Sequence, residues 1–334
     1  MTNIYKNSLV SIIIPCYNNA NHIIETLTSV LNQTYTDWEC FIIDDDSTDN
    51  TVKIIEKWCS INPKFSYLKR PGFREKGANA CRNVGIENSQ GIYVIFLDAD
   101  DILNKYCLEN RVKEFDKNHD LDFVIANTSF YSDGVFLDKA ICRYPENYTA
   151  EQYLNLFLRY ELPWTIMSVL WKRETIVNVS FDESLPRLQD VDFHIQILLQ
   201  NNLKCIRLSA IDTYYRSNTN GKTTIEHNQI VINASNLFFE KYLTKPFLNS
   251  IQKKQFRRFI MLFLFKHIYP SQQELKVEVQ QIEVLIKNSK LFTIKELLLL
   301  KIYKLIIKYN LQTKTGLGVH KLSKALKNGL NYDR

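Results

Sequence analysis

Short apolar runs and helical periodicities alternate along the first third of the chain. The run VSIIIP (10–15) has the length and branching of a buried strand. After it, Asn21 stands where a helix cap belongs, ahead of an apolar face made by Ile23, Ile24, Leu27, Val30 and Leu31. The same alternation predicts strands at 40–44, 66–68, 93–97 and 122–126, and helices at 50–59, 77–88 and 104–118. Strands separated by crossover helices predict an α/β fold: a mainly parallel, Rossmann-like sheet flanked by helices. Ligands of such sheets bind outside the carboxyl ends of the strands. Three of these strands run into PCYNN, DDDSTD and DADD, and would converge on one crevice.

From about Thr149 the pattern loosens. TAEQ (149–152) is a capping box opening a helix, and ELPWTIMSVLW (161–171) is an irregular aromatic stretch. LQDVDFHIQILL (188–199) is helical, with Val191, Ile195, Leu198 and Leu199 on one face. After Gly221 the periodicity is helical almost throughout, with capping boxes at SQQE (271–274) and TIKE (293–296), so a C-terminal all-helical extension is expected. In 297–309, Lys301, Lys304 and Lys308 form one stripe, with Leu298, Ile302, Leu305, Ile306 and Tyr309 opposite.

Composition sharpens this division. With 45% apolar and 12% aromatic residues, the 334-residue chain has ample material for a packed core. The net charge of +6 hides an asymmetry: residues 222–334 hold 20 Lys and Arg against 7 Asp and Glu, so the preceding part is acidic. An acidic body and a basic tail are expected to meet different partners. The seven cysteines (16, 40, 59, 81, 107, 142 and 205) form no CxxC and sit mostly in apolar runs, as free thiols in a reducing compartment do. No secretory signal is expected, because Pro15 cuts the apolar run from Leu9. The longest apolar run, 259–265, falls far short of the ~18 residues a span requires. The expected localisation is cytoplasmic.

The chemistry concentrates where YVIFLDADD (93–101) delivers Asp98, Asp100 and Asp101 to one place. Alternate side chains share a side, so Asp98 and Asp100 would project together. Two carboxylates about 6 Å apart repel by roughly 3 kcal/mol at an effective dielectric near 20. A hard divalent cation would offset this and leave positions open for a diphosphate. The alternative is that Asp100 and Asp101 cap the helix near Asn104. Within IIDDDSTDNT (42–51), a carboxylate could accept from a base N–H or ribose hydroxyls, or the run could be a capping turn. Tyr17 offers a flat face for a base. In GANACRNVG (77–85), Ala78, Ala80 and Cys81 permit close packing, and Arg82 either reaches a phosphate or is a surface arginine.

In this order and spacing, VSIIIPCYNN, SVLNQTYTDWECFIIDDDSTDNT and GANACRNVGIENSQGIYVIFLDADD resemble the family 2 glycosyltransferases, whose fold is called GT-A. The resemblance is strong over 9–101 and continues weakly to about 216. It implies inverting transfer of a sugar from a nucleotide-diphosphate donor, UDP-linked by family habit, to a hydroxyl. It places Pro15, Tyr17 and Asp45 at the nucleobase, Arg82 and Asn83 on the nucleotide, and Asp98 near the ribose. Asp100, with Asp98, would hold Mn²⁺ or Mg²⁺ beneath the diphosphate.

LQDVDF occupies the place where the family usually has Glu-Asp followed by an aromatic, which puts Asp190 on the catalytic base and Gln189, in place of Glu, on the acceptor side. Inversion by direct displacement needs such a base, and the start of a helix is expected to keep Asp190 ionised. Trp164 lies in a segment resembling the acceptor side, where sugar stacking and core packing both remain open. YYRSNTNGK (214–222) resembles a loop closing over the diphosphate, with Arg216 or Lys222 to neutralise the leaving group. Asn218 replaces a histidine found in some relatives, and His119 and His194 read as structural.

On the resemblance, residues 1–221 form a GT-A catalytic domain, with a nucleotide-sugar half at about 9–126 and an acceptor half at about 127–221. Residues 222–334 form a basic helical extension. The expected reaction serves surface polysaccharide or glycolipid synthesis, with a saccharide or lipid-linked acceptor. The alternatives are a non-catalytic nucleotide-sugar-binding or scaffold protein and a nucleotidyltransferase, for which the lysine- and glycine-rich loop after the first strand is missing. NGKT (220–223) lacks the earlier glycine of a phosphate loop, and GxGxxG, GxSxG and HExxH do not occur. The basic tail either packs on the body with its lysines solvated or docks peripherally on the anionic inner face of the cytoplasmic membrane. No nucleic-acid-binding module accompanies the charge.

Overall fold

The structure, a computed structural model, describes residues 8–132, 134–142, 144–217, 225–244, 248–309 and 311. The chain divides into two compact units: Met1–Leu154 with Leu162–Ser184 and Gln189–Gly221, and Asn155–Glu161 with Leu185–Leu188 and Lys222–Arg334.

In the first unit, the elements run β1 (Val10–Cys16), α1 (Ile23–Leu31), β2 (Trp38–Asp44), α2 (Thr51–Ile61), β3 (Phe65–Lys69), α3 (Ala78–Asn88) and β4 (Tyr93–Phe96). They continue with β5 (Ile102–Leu103), α4 (Cys107–Lys117), β6 (Phe123–Ser132), β7 (Val135–Phe136), α5 (Ala150–Phe157, which ends in the second unit), β8 (Val169–Lys172), α6 (Arg173–Ile176), α7 (Gln189–Leu198) and β9 (Cys205–Arg216). The sheet order is β3-β2-β1-β4-β8-β6-β9-β5, with β7 on β6. It is mixed and mostly parallel, as expected, and its parallel half places Cys16 level with Asp44.

The branched residues of β1 and β4 are wholly buried, because helices cover both faces. On one face α3 lies directly on β1: a Cβ at Gly85 would come 2.3 Å from the Ile13 side chain. Gly77, with φ of 137°, opens that helix in a conformation other residues resist.

The sequence expectation misses β8 and β9. Antiparallel β8 enters between β4 and β6, so part of the aromatic stretch is a core strand, and the supposed loop at 214–216 is the end of β9. Asn21 is not the cap of α1, which starts at Ile23. The turn is instead closed by the Asn19 carbonyl, which accepts from the His22 and Ile23 amides. The capping box at Thr149 and Gln152 is present.

The second unit holds α8 (Ile225–Thr244), α9 (Ser250–Phe263), α10 (Lys276–Asn288) and α11 (Ile294–Lys308). Phe238, Phe239, Phe256, Phe259 and Phe263 pack together at its centre, in tilted and edge-to-face pairs. Thr293 and Glu296 form the expected capping box. The one expected at Ser271 does not form: Gln272 is buried, donating to the Lys304 carbonyl, and α10 begins only at Lys276. In α11 the buried residues are Glu296, Leu300, Tyr303 and Ile306, whereas Leu298, Ile302, Leu305 and Tyr309 are exposed. The apolar stripe read from the sequence therefore does not pack inward, apart from Ile306. Among the described residues, no helix is long and apolar enough to cross a membrane.

Candidate active site

The loops leaving β1 and β2 are tied to each other before any ligand is considered. The Asn18 amide donates to Ser47 Oγ (2.9 Å), the Asn19 amide to Thr51 Oγ1 (2.7 Å), and Asn18 Oδ1 accepts from the Thr48 amide (2.7 Å). Asn18 and Asp46 take positive φ, which short polar side chains tolerate. Pro15 is buried within β1, while Tyr17 stands half-exposed with the Lys76 ammonium 4.2 Å from its ring centroid. Asp45 is buried and paired with Arg70, whose other nitrogens reach Asp46 (2.6 Å) and the Arg74 carbonyl (2.7 Å). Sequence reasoning passed over Arg70 and Lys76, although RPGFREK carries both charges just ahead of α3.

The acidic turn after β4 is supported on three sides. Thr26 Oγ1 donates to the Ala99 carbonyl (2.8 Å) from beneath. The Arg216 amide donates to Asp101 Oδ1 (2.9 Å), and Arg216 Nε donates to the Asp100 carbonyl (2.8 Å). On the third side, Arg82 Nη2 donates to Asp98 Oδ1 (2.7 Å). Burial and the Asp98 charge push both Asp100 and Asp101 above the ordinary carboxylate range. Asp101 Oδ2 is buried and has no hydrogen-bond partner among the described residues.

Arg82 joins this turn to α7. Its side chain is only 3% exposed, and its Nη1 donates to Asp190 Oδ1 at 3.3 Å. The guanidinium lies over the Phe181 ring (5.3 Å), which stacks on Phe193 at 3.9 Å, and Phe96 of β4 meets both edge on. Phe193, three residues beyond Asp190 on α7, thus anchors the helix turn that presents the acid. Asp98 and Asp190 keep side-chain exposures of 33% and 38%, so both carboxylates stay partly open to solvent. Burial raises the Asp190 pKa, the Arg82 cation lowers it, Asp98 raises it, and the net shift is upward. Gln189 is half-buried beside Asp190.

Three expected site residues are engaged elsewhere. Asn83 is buried and pins the 181–183 loop: its Nδ2 donates to the Phe181 carbonyl and to Glu183, and its Oδ1 accepts from the Phe181 amide. Trp164 is a core residue, 4% exposed, packed on Tyr153, Phe123 and His194, so the sugar-stacking alternative falls. Arg216 is spent on the acidic turn, on Glu25 (2.8 Å) and on the Tyr131 ring, and is a brace rather than a free leaving-group cation. Asn218 and Lys222 lie outside the described residues, as does NGKT. His194 is buried against Trp171, and burial drives its pKa down to about 3, consistent with the structural role expected of it.

The donor set suits a hard divalent cation. Asp98 and Asp100 would offer oxygen ligands; burial and then the Asp98 charge raise the Asp100 pKa, and a cation would favour its charged form. Among the described residues, no three His, Cys, Asp or Glu side chains are placed to enclose an ion. Asp98 and Asp100 would be the protein's share of such an ion's ligands, with water and ligand oxygens supplying the rest.

A mostly parallel sheet whose central strand delivers clustered aspartates, faced by an acid at the start of a helix, is of the GT-A type. The crystal structure of S. aureus TarS in complex with UDP-GlcNAc shares this fold (TM-score 0.63, 19% identity, covering 90% of this chain and 87% of that one). So does the mannosyltransferase PcManGT from Pyrobaculum calidifontis in complex with GDP-Man and Mn²⁺ (TM-score 0.55, 14% identity, 98% and 85%). Residues 11–173 match the family described as Glycosyl transferase family 2, and the chain carries a domain of that family. Among its relatives, the cholesterol galactosyltransferase of Borreliella burgdorferi is 27% identical over 291 residues, covering 80% of this chain and 78% of the relative. The putative teichuronic acid biosynthesis glycosyltransferase TuaG of Bacillus subtilis is 38% identical over 150 residues (44% and 57%). The first curated relatives are longer still, and the match spans only 17% to 20% of their length.

Proposed function

We propose that this protein is an inverting glycosyltransferase that moves a sugar from a nucleotide-diphosphate sugar, UDP-linked, to a hydroxyl of a saccharide or lipid-linked acceptor. The observation that carries this is the Arg82 bridge, which sets a donor-side carboxylate, Asp98, and an acid on a separate helix, Asp190, one guanidinium apart. A nucleotide binder has no need of the second acid. The relatives add weight, since TarS is seen with UDP-GlcNAc and the Borreliella and Bacillus proteins are named for transfer to cholesterol and for teichuronic acid biosynthesis.

In this reading Tyr17 stacks on the base, with the Asp45–Arg70 pair and Pro15 shaping the pocket behind it, and Asp98 meets the ribose. Asp100 and Asp98 would hold Mn²⁺ or Mg²⁺, which would neutralise charge on the diphosphate. Asp190 removes the acceptor proton as the acceptor oxygen bonds to the anomeric carbon and the bond to the diphosphate oxygen breaks. A raised pKa makes it a stronger base than an ordinary carboxylate. Arg82 holds it in line, and Gln189 borders the acceptor. Residues 1–221 act as the catalytic domain and 222–334 as a basic extension, with the protein placed peripherally on the inner face of the cytoplasmic membrane.

The test is transfer and donor hydrolysis across a panel of nucleotide sugars with and without Mn²⁺. Asp100→Asn loses metal-dependent donor binding. Asp190→Asn binds donor normally and transfers about 10²–10⁴-fold more slowly. Full turnover by the second variant would remove Asp190 as the base.

A further inference from the structure

We infer that the outward face of α11 is a docking surface for anionic phospholipid. The inference rests on the peripheral placement proposed above and gives it a location. At about 100° per residue, Ile294, Leu305, Leu298, Tyr309 and Ile302 fall in an arc about 80° wide. All five are exposed, Ile294 at 80% and Tyr309 at 58%. Lys301 and Lys308 lie just to one side of the arc and Lys295 just to the other, and all three are exposed. The acid of this helix, Glu296, points the opposite way and pairs with Arg257 (2.5 Å). The outward face is therefore apolar along its centre and cationic along both edges, as in a helix lying in the plane of a membrane interface.

The patch continues across a cavity of about 340 Å³ between α10 and α11, lined by Val284, Lys287, Ile294, Leu298 and Lys301 among others. Val284 is itself half-exposed. Charge selects the occupant. Residues 312–334 carry five Lys and Arg against one Asp, so that segment would meet cations of its own sign. A second copy laid face to face would set lysine against lysine. An anionic headgroup layer answers the lysines while its acyl boundary takes the apolar arc.

The experiment is sedimentation of the full chain with vesicles of phosphatidylcholine, alone or mixed with phosphatidylglycerol, at low and high salt. The protein is expected to sediment with the mixed vesicles and to be released by salt. Changing Leu298, Ile302 and Leu305 together to Ser should weaken binding by about tenfold or more, with donor binding unchanged and a cooperative thermal melt showing that the variant is folded. Changing Lys295, Lys301 and Lys308 to Gln should remove the preference for phosphatidylglycerol. Undiminished binding by the serine variant would overturn the assignment to this face while leaving the peripheral placement standing. Failure of the unaltered protein to bind would end the placement and the assignment together. A photocrosslinker at position 302 that captures residues 312–334 or a second copy, in the presence of mixed vesicles, would also overturn the inference.

Discussion

Arg111 and Arg82 of the first unit are both almost completely buried, and their surroundings differ in one respect. Arg111, on α4, donates to both oxygens of Asp212 (2.9 and 2.6 Å) and to the Met167 carbonyl (2.9 Å), and neither partner of the ion pair is more than 3% exposed. Arg82 also holds carboxylates, but Asp98 and Asp190 are each about one-third exposed. The first cluster is sealed: every charge is answered from within the protein. The second is closed on its cationic side and open on its anionic side. Buried charge alone therefore marks structure, and buried charge with outward-facing partners marks a site.

That contrast breaks most visibly at Arg111. Arg111→Met leaves Asp212 buried without its cation, and removing one partner of such a pair costs about 3–5 kcal/mol. The expected outcome is a large fall in the urea midpoint, with donor affinity unchanged in the fraction that folds. Adding Asp212→Leu should restore most of the loss, since the charge itself is gone. A single variant as stable as the parent would mean that water reaches the pair.

Arg82→Gln sharpens the comparison from the other side. Water can take the place of the guanidinium at half-open carboxylates, so stability falls less than at Arg111. The effect moves to the chemistry. Arg82 favours the ionised form of Asp190, while burial and Asp98 oppose it. Without the cation the Asp190 pKa rises further, and the acidic limb of the kcat/KM profile shifts to higher pH. An unmoved limb, measured on folded protein, would mean that Asp190 is not the titrating base.

The two clusters also differ in how far the sequence foretold them. β1, β2 and β4 are legible because their apolar runs are continuous and end in polar triplets, and Asp98, Asp100 and Asp190 lie in local motifs. The ties between motifs are not local. Arg216 meets Glu25 across 191 positions and Arg111 meets Asp212 across 101, separations at which periodicity carries no information. Trp164 and Asn83 show the complementary error. An aromatic or an amide beside a motif reads as ligand-facing, yet burial and the hydrogen bonds of the 181–183 loop decide otherwise. On α11 the stripe itself was legible and its direction was not, because packing rather than pattern chooses which face turns inward.

The smallest effect separates support of the open cluster from membership in it. Thr26 is buried on α1 and its hydroxyl donates to the Ala99 carbonyl of the acidic turn at 2.8 Å. Thr26→Val keeps the shape and removes that bond, at a cost of about 1 kcal/mol. Asp98 and Asp100 flank the freed carbonyl, so the looser turn should raise KM for the donor by a few-fold, about 1 kcal/mol in the same currency, and leave kcat nearly unchanged. The sealed cluster should show no such split: weakening it lowers stability without a selective change in donor KM. Steady-state kinetics of Thr26→Val at saturating acceptor decide the matter. If kcat falls with KM unmoved, the turn serves the chemical step and not only donor binding.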